Sequence, residues 1–253
     1  MEGIRQFVKE GRVVWTMTTN GYKFYTLNLI SWLRDVAKVP WQLCILCADS
    51  ESYTFFRREG YPCISFNKVK GQQSHPASFG TSEFGMVVKK KLDAFLWIAE
   101  NAKEYGISKS LFLDGDLVVQ RDPWPVLEGL WEGGAKELLF QCDCANDKEH
   151  LDCGVACTGV VAIQHTMNTS DIWRFEKGLW STCENNDQVF VQKRLTALGV
   201  PYGILPRPEW CNGMWQKSMK WKDHNWVLIH YNYRVGDTKK AAMKSYGHWH
   251  IPY

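Results

Sequence analysis

Two carboxylates separated by one glycine, Asp114-Gly115-Asp116, carry the clearest chemical signal in the sequence. They follow the apolar run Leu111-Phe112-Leu113 and precede a second one, Leu117-Val118-Val119. Side chains at i and i+2 of an extended chain point the same way, so both carboxylates can face one cation. The intervening glycine lets the backbone approach a ligand closely. Hard oxygen donors of this kind suit Mg²⁺ or Mn²⁺, which also binds phosphate oxygens. A bare Asp-x-Asp usually marks a surface turn; apolar strands on both sides set this one apart. Lys89-Lys90-Lys91 and Lys239-Lys240 would suit a compact anion such as a diphosphate, although such clusters also occur on solvated helix faces.

The elements that must position these groups alternate along the chain. Arg12 to Thr16 reads as a buried strand running into the small polar turn Thr18-Thr19-Asn20-Gly21. Tyr25 to Val36 shows helical spacing, Trp41 to Cys47 reads as a strand, and a new helix can be capped at Ala48-Asp49-Ser50. Cys63 to Phe66 is a third strand, and Ser82 to Tyr105 a long amphipathic helix stopped by Gly106. Ser110 to Leu113 then leads into the Asp-Gly-Asp turn. Beyond it Leu138 to Cys142, Val160 to Gln164 and Trp226 to His230 read as strands, and Asp187 to Leu198 as a helix. Strand–helix alternation predicts an α/β fold with a parallel, doubly wound sheet. Ligands of such sheets bind beyond the carboxyl ends of strands, where Thr18-Thr19-Asn20 and Asp114-Gly115-Asp116 both fall.

Composition narrows the class. A chain of 253 residues can bury a substantial core, and one compact domain is expected. A net charge of +3 without a long basic run argues against nucleic acid as partner. No stretch approaches bilayer-spanning length, and Met1 to Glu10 lacks the apolar core of a signal peptide, so a soluble, cytoplasmic chain is expected. Nine cysteines, an odd number, fit free thiols in a reducing compartment. Cys44 and Cys47 point to opposite faces of a strand, which argues against a paired site. Cys142, Cys144, Cys153 and Cys157 are denser, and fit zinc, two disulfides or plain packing. Thirteen tryptophans could provide sugar-stacking faces, at Trp210, Trp215 and Trp221 for example, or simply fill a core.

The chain resembles the GT-A-fold glycosyltransferases. The group in question is the nucleotide-diphospho-sugar transferases, with glycogenin-type and plant cell-wall xylosyl- and galactosyltransferase-like enzymes. The resemblance rests on apolar-apolar-Leu-Asp-x-Asp followed by a short apolar run and Asp122-Pro123, and it extends in order along most of the chain. It implies a Rossmann-like mixed central sheet flanked by helices, with the Asp-x-Asp turn at a strand end. Within a single domain, residues 1–119 would form the nucleotide-binding half and 120–253 the donor-sugar and acceptor half.

The resemblance also implies roles. Thr18, Thr19, Asn20 and Gly21 are similar to the loop that holds base and ribose. Lys90, within Lys89 to Lys91, resembles a lysine of the helix before the Asp-x-Asp strand. Cys157-Thr158-Gly159 is similar to an Asn-Ser-Gly segment beside the donor sugar, with Cys157 where the family has Asn. Asn186-Asp187-Gln188 resembles the Asp-Gln pair that approaches the sugar ring. His230, Gly236 and Lys239 resemble a tail in which the histidine is the third metal ligand and the lysine contacts the diphosphate. Asp114, Asp116 and His230 thus form the expected Mn²⁺ (or Mg²⁺) set, with Asp114 also suited to ribose or a metal-bound water. Gly115, Thr158 and Gly159 complete the expected nucleotide-sugar contacts.

The implied activity is transfer of a sugar from a UDP-sugar to a hydroxyl of a glycan or glycoprotein acceptor. Xylose is slightly favoured as the donor sugar, followed by glucose and galactose. If configuration is retained, Asp187 holds or stabilises the donor sugar. If it is inverted, Asp187, Asp152 or Glu209 is the general base. Asp187 equally fits a plain helix start, and Asn212-Gly213 either a turn or an acceptor loop. Golgi-type relatives carry a membrane span, so a bacterial or large-DNA-virus type of enzyme, or a chain trimmed of its anchor, is expected. The alternative from another class is a non-catalytic carbohydrate- or nucleotide-binding protein on a degenerate transferase scaffold. A phosphohydrolase would need ligands for a second ion, and the glycine fingerprints of dehydrogenases and P-loop proteins are missing.

Overall fold

The computed structural model describes residues 2–66, 81–144, 154–218, 220–223 and 225–253. Along the chain run β1 (Arg12–Thr18), α1 (Lys23–Ser31), β2 (Leu43–Cys47), α2 (Ser50–Arg58), β3 (Cys63–Ser65), α3 (Ser82–Asn101), β4 (Lys109–Leu113) and β5 (Leu117–Val119). There follow α4 (Trp124–Glu132), β6 (Leu138–Cys142), β7 (Ala156–Gln164), α5 (Ser170–Trp173), α6 (Lys177–Trp180) and α7 (Asp187–Leu198). The remainder comprises β8 (Gly203–Ile204), β9 (Trp210–Cys211), α8 (Gly213–Lys217), β10 (Leu228–His230) and α9 (Gly236–Ser245). Backbone contacts divide the fold into two interleaved compact units: residues 1–23, 41–112 and 163–201, and residues 24–40, 113–162 and 202–253.

In the first unit the strand order is β3-β2-β1-β4, and every pairing is parallel. β1 and β4 align from Arg12 with Lys109 to Trp15 with Phe112, so their carboxyl ends share one sheet edge. All five side chains of β2 are buried, as expected of a strand covered on both faces. Trp15, Phe95, Phe112 and Trp173 join two strands to α3 and α5, with Phe95 stacked on Trp173 at 4.2 Å between centroids. In the second unit the strand order is β7-β6-β8, with β6 parallel to β8. A smaller sheet there runs β5-β10-β9, with β10 antiparallel to β5 and parallel to β9.

The α/β architecture and most expected elements are present, with shifts at their ends. The helix expected to reach Val36 turns π-helical from Trp32, and α3 stops at Asn101 before a turn closed by Gly106 at φ +70°. β7 starts at Ala156, earlier than apolar patterning suggests, so Cys157, Thr158 and Gly159 are strand residues. Trp210, Trp215 and Trp221 are buried packing groups rather than open stacking faces. Among the described residues seven cysteines are free thiols and Cys142 is disulfide-bonded, so the general expectation of free thiols fails at Cys142, in the group for which disulfides were the other reading. Asp152 and Cys153 lie outside the described residues. Among the described residues no helix is long and apolar enough to cross a membrane.

Candidate active site

The second unit holds the Asp-Gly-Asp turn. β4 delivers Asp114, whose backbone N–H donates to the Gly159 carbonyl at 2.8 Å, and β5 begins directly after Asp116. The antiparallel pairing of Leu117 with His230 then fixes how the histidine meets the carboxylates. His230 Nε2 lies 3.4 Å from Asp116 Oδ1 and 3.9 Å from Asp114 Oδ2. One ligand atom from each of the three residues falls within 4.8 Å of the others, and among the described residues they are the metal-competent group of this kind. Asp116 and His230 are buried, whereas the Asp114 side chain is 30% exposed and open to a ligand.

Lys239, on the first turn and a half of α9, reaches the same cluster. Its Nζ donates to Asp116 Oδ2 at 2.5 Å and also lies 5.9 Å from the Tyr25 ring centroid. Burial by itself pushes the Asp116 carboxyl up, but the Lys239 ammonium and then His230 outweigh it and hold it below the usual carboxylate range. Gly236 opens α9 at φ +53°, a conformation that glycine adopts without strain. Gly159 meets a different need. A Cβ there would overlap His230 Cε1 and come within 2.7 Å of Asp114 Oδ2. Gly115 packs on Thr26, whose Oγ1 would lie 2.9 Å from a Cβ at 115. Thr158 is buried in β7 beside Gly159.

The first unit holds the remaining candidates. β1 ends at Thr18, and the turn after it is tied down when the Asn20 N–H donates to Asp49 Oδ2 at 2.8 Å. Lys23 Nζ donates to Asn20 Oδ1 at 2.6 Å, while Thr18 and Thr19 are buried and Gly21 half-buried. Asn186, not Asp187, caps α7 by accepting from the Gln188 and Val189 N–H groups. Asp187 is buried, with its Oδ2 2.7 Å from Lys91 Nζ. Gln188 stays half-buried on the same turn.

Of three consecutive lysines on α3, sequence reasoning favours Lys90, yet Lys90 is half-exposed and pairs with Asp93 at 3.3 Å. Lys89 lies over the Phe175 ring. The lysine that faces inward is Lys91. Its signal was its place in the α3 apolar stripe, between Val88 and Leu92. Glu209 pairs with Arg121 at 3.5 Å, and Asn212 caps α8. Cys157 Sγ sits 3.9 Å from His230 Nδ1 and Cys144 lies near Arg207, and among the described residues the cysteines belong to no metal-competent group.

A profile of nucleotide-diphospho-sugar transferases matches residues 42–243. The chain belongs to the nucleotide-diphospho-sugar transferase family. No curated protein sequence matches it significantly. Solved structures share its GT-A fold. The glycosyltransferase GlyE of Streptococcus pneumoniae TIGR4 superposes with a TM-score of 0.54 at 17% identity, covering 94% of this chain and 60% of GlyE. An active-site mutant of LgtC gives 0.54 at 15% identity, over 94% of this chain and 97% of LgtC. Mouse xyloside xylosyltransferase 1 gives 0.51 at 11% identity, over 88% and 99%. Identities this low speak for the fold alone, and the chain spans less than two thirds of GlyE's length.

A transferase of this family works on a diphosphate, and the observed donor set fits a hard divalent ion beside one. Two carboxylates and a histidine match such an ion in number and type. Asp114, Asp116 and His230 are the residues that would hold it.

Proposed function

We propose that this nucleotide-diphospho-sugar transferase moves a sugar from a UDP-sugar to a hydroxyl of a glycan or glycoprotein acceptor. The observation that carries the reading is the convergence of Asp114, Asp116, His230 and Lys239 in one partly buried cluster. A divalent ion there, Mn²⁺ in our reading, would offset the negative charge that builds on the departing diphosphate. Lys239 adds a second, buried positive charge for the same anion, and its bond to Asp116 keeps it in place. Thr18, Thr19, Asn20 and Gly21 hold base and ribose, with Asp49 and Lys23 fixing the turn. Gly115, Thr158, Gly159 and Gly236 supply close backbone approach to the nucleotide sugar.

Asp187 and Gln188 bind donor-sugar hydroxyls. Lys91 orients the Asp187 carboxylate and we assign it the role first given to Lys90. Xylose is the slightly favoured donor sugar, on the motif resemblance of the sequence, with glucose and galactose next.

A panel of UDP-sugars, assayed for slow hydrolysis and for transfer to glycans with Mn²⁺ and with EDTA, tests the proposal. Turnover should need the ion, and Asp116→Ala should abolish it while the circular dichroism spectrum is preserved. Full turnover in EDTA would overturn the metal assignment. A melting-temperature rise with UDP and Mn²⁺, but no turnover of any sugar nucleotide, would replace the transferase by the non-catalytic binding protein.

A further inference from the structure

Gln141 lies in the middle of β6, a strand whose residues are all buried, and its own side chain is fully enclosed. A primary amide in such a place is costly unless its hydrogen bonds are made. Its Nε2 donates to two backbone carbonyls, Trp210 O at 3.2 Å and Cys211 O at 3.0 Å. Those acceptors decide which end of the amide is nitrogen, because the flipped group would set oxygen against two oxygens.

Oε1 therefore faces His230 Nδ1, 2.8 Å away. An amide oxygen can only accept, so Nδ1 carries the hydrogen. In the neutral form of the ring, the form that binds a cation, that is its one N–H, and Nε2 is then the nitrogen with the lone pair. That lone pair faces Asp116 Oδ1 at 3.4 Å and Asp114 Oδ2 at 3.9 Å. Cys157 Sγ, 3.9 Å from Nδ1, is a weaker hydrogen-bond group and does not reverse the assignment.

From this chain of contacts we infer that Gln141 is a positioning residue for the cation site. It selects the tautomer and ring orientation of His230 that present Nε2 to a divalent ion on Asp114 and Asp116. The carbonyls of β9 are the first link of the relay, and β10, paired with both β9 and β5, brings the last link to the Asp-Gly-Asp turn. The inference rests on the metal reading of that cluster. Loss of an outer partner of this kind costs about 10–100-fold in metal affinity.

The test is Mn²⁺ titrated into the EDTA-treated full chain, with free Mn²⁺ read by electron paramagnetic resonance, for wild type, Gln141→Met and His230→Ala. Nitrogen-15 shifts of the wild-type histidine rings, assigned with His230→Ala, give the tautomer directly. The expected result is an Nδ1–H tautomer at His230 and an affinity for Gln141→Met about 10–100-fold below wild type, lying between wild type and His230→Ala. An Nε2–H tautomer in the wild type overturns the inference whether or not Gln141→Met folds. Wild-type affinity in Gln141→Met, with affinity lost in His230→Ala, overturns it while leaving the metal site standing. Equal Mn²⁺ binding by wild type and His230→Ala, or none by either, instead overturns the metal reading on which it depends.

Discussion

At the scale of single residues, a buried ion pair and a buried glycine each tolerate little change. Lys91 and Asp187 are buried side by side at 2.7 Å, so removing one takes the closest opposite charge from a buried partner. Lys91→Met should destabilise the fold by about 3–5 kcal/mol, whereas Lys91→Met with Asp187→Leu should recover most of that loss. If the proposed role of Asp187 is right, the double variant regains stability but no turnover. Urea denaturation and a transfer assay on the four members of the cycle separate the two effects; a fully active double variant would remove Asp187 from the mechanism. Gly159 supplies a second test. Since a Cβ there meets both His230 and Asp114, Gly159→Ala should weaken Mn²⁺ binding at the proposed cation site by about an order of magnitude with all three proposed ligands still present. Calorimetric titration reads that loss, and unchanged affinity would show that the ring simply shifts aside.

At the scale of elements, the first unit depends on an aromatic joint and on one cap. Phe95 of α3 touches Trp15 of β1, Phe112 of β4 and Trp173 of α5. Phe95→Ala should therefore cost about 3–5 kcal/mol in urea unfolding, because a ring shared by four elements leaves a cavity none can fill alone. Asn186 accepts two backbone N–H groups at the start of α7, and Asn186→Ala should cost about 1 kcal/mol. That loss falls where Asp187 begins the helix, so turnover should drop more than global stability does. Kinetics beside a thermal melt would show whether it does.

For the whole molecule, pH is the informative variable. His165, in the first unit, bonds Ser110, and His248, in the second, bonds Tyr231. Burial holds both rings down to about 4 from an ordinary 6.5, with His250 adding to the effect at His248. The unfolded chain thus takes up these protons first as pH falls. Their contribution is complete above about pH 6.5 and is lost between about 6.5 and 4, by at most about 1.4 kcal/mol per pH unit for each histidine. Scanning calorimetry across that window should show the melting temperature falling, and His248→Gln should flatten the slope. A profile without slope would mean that both rings reach solvent in the native state.

Some of this was legible in the sequence because it depends on local order alone. Alternating apolar runs and helical spacings locate β6 and α7 to the residue, and the Asp-Gly-Asp turn at a strand end needs only the period-two geometry of an extended chain. The order of motifs named the family, and the matching profile agrees. What packing decided is of another kind. Successive residues of a helix are about 100° apart, so three adjacent lysines look alike until α7 presents Asp187 to one of them, and that one is Lys91. A glutamine within Leu-Leu-Phe-Gln-Cys reads only as a polar interruption of a strand. Its contact with His230 spans 89 positions in the chain and exists because β9, β10 and β5 are paired in one sheet. The sequence by itself determined which chemical groups this protein carries and on which elements they sit. Tertiary structure alone decided which atoms face one another, because burial makes every unpaired polar atom costly and leaves few arrangements that satisfy them all.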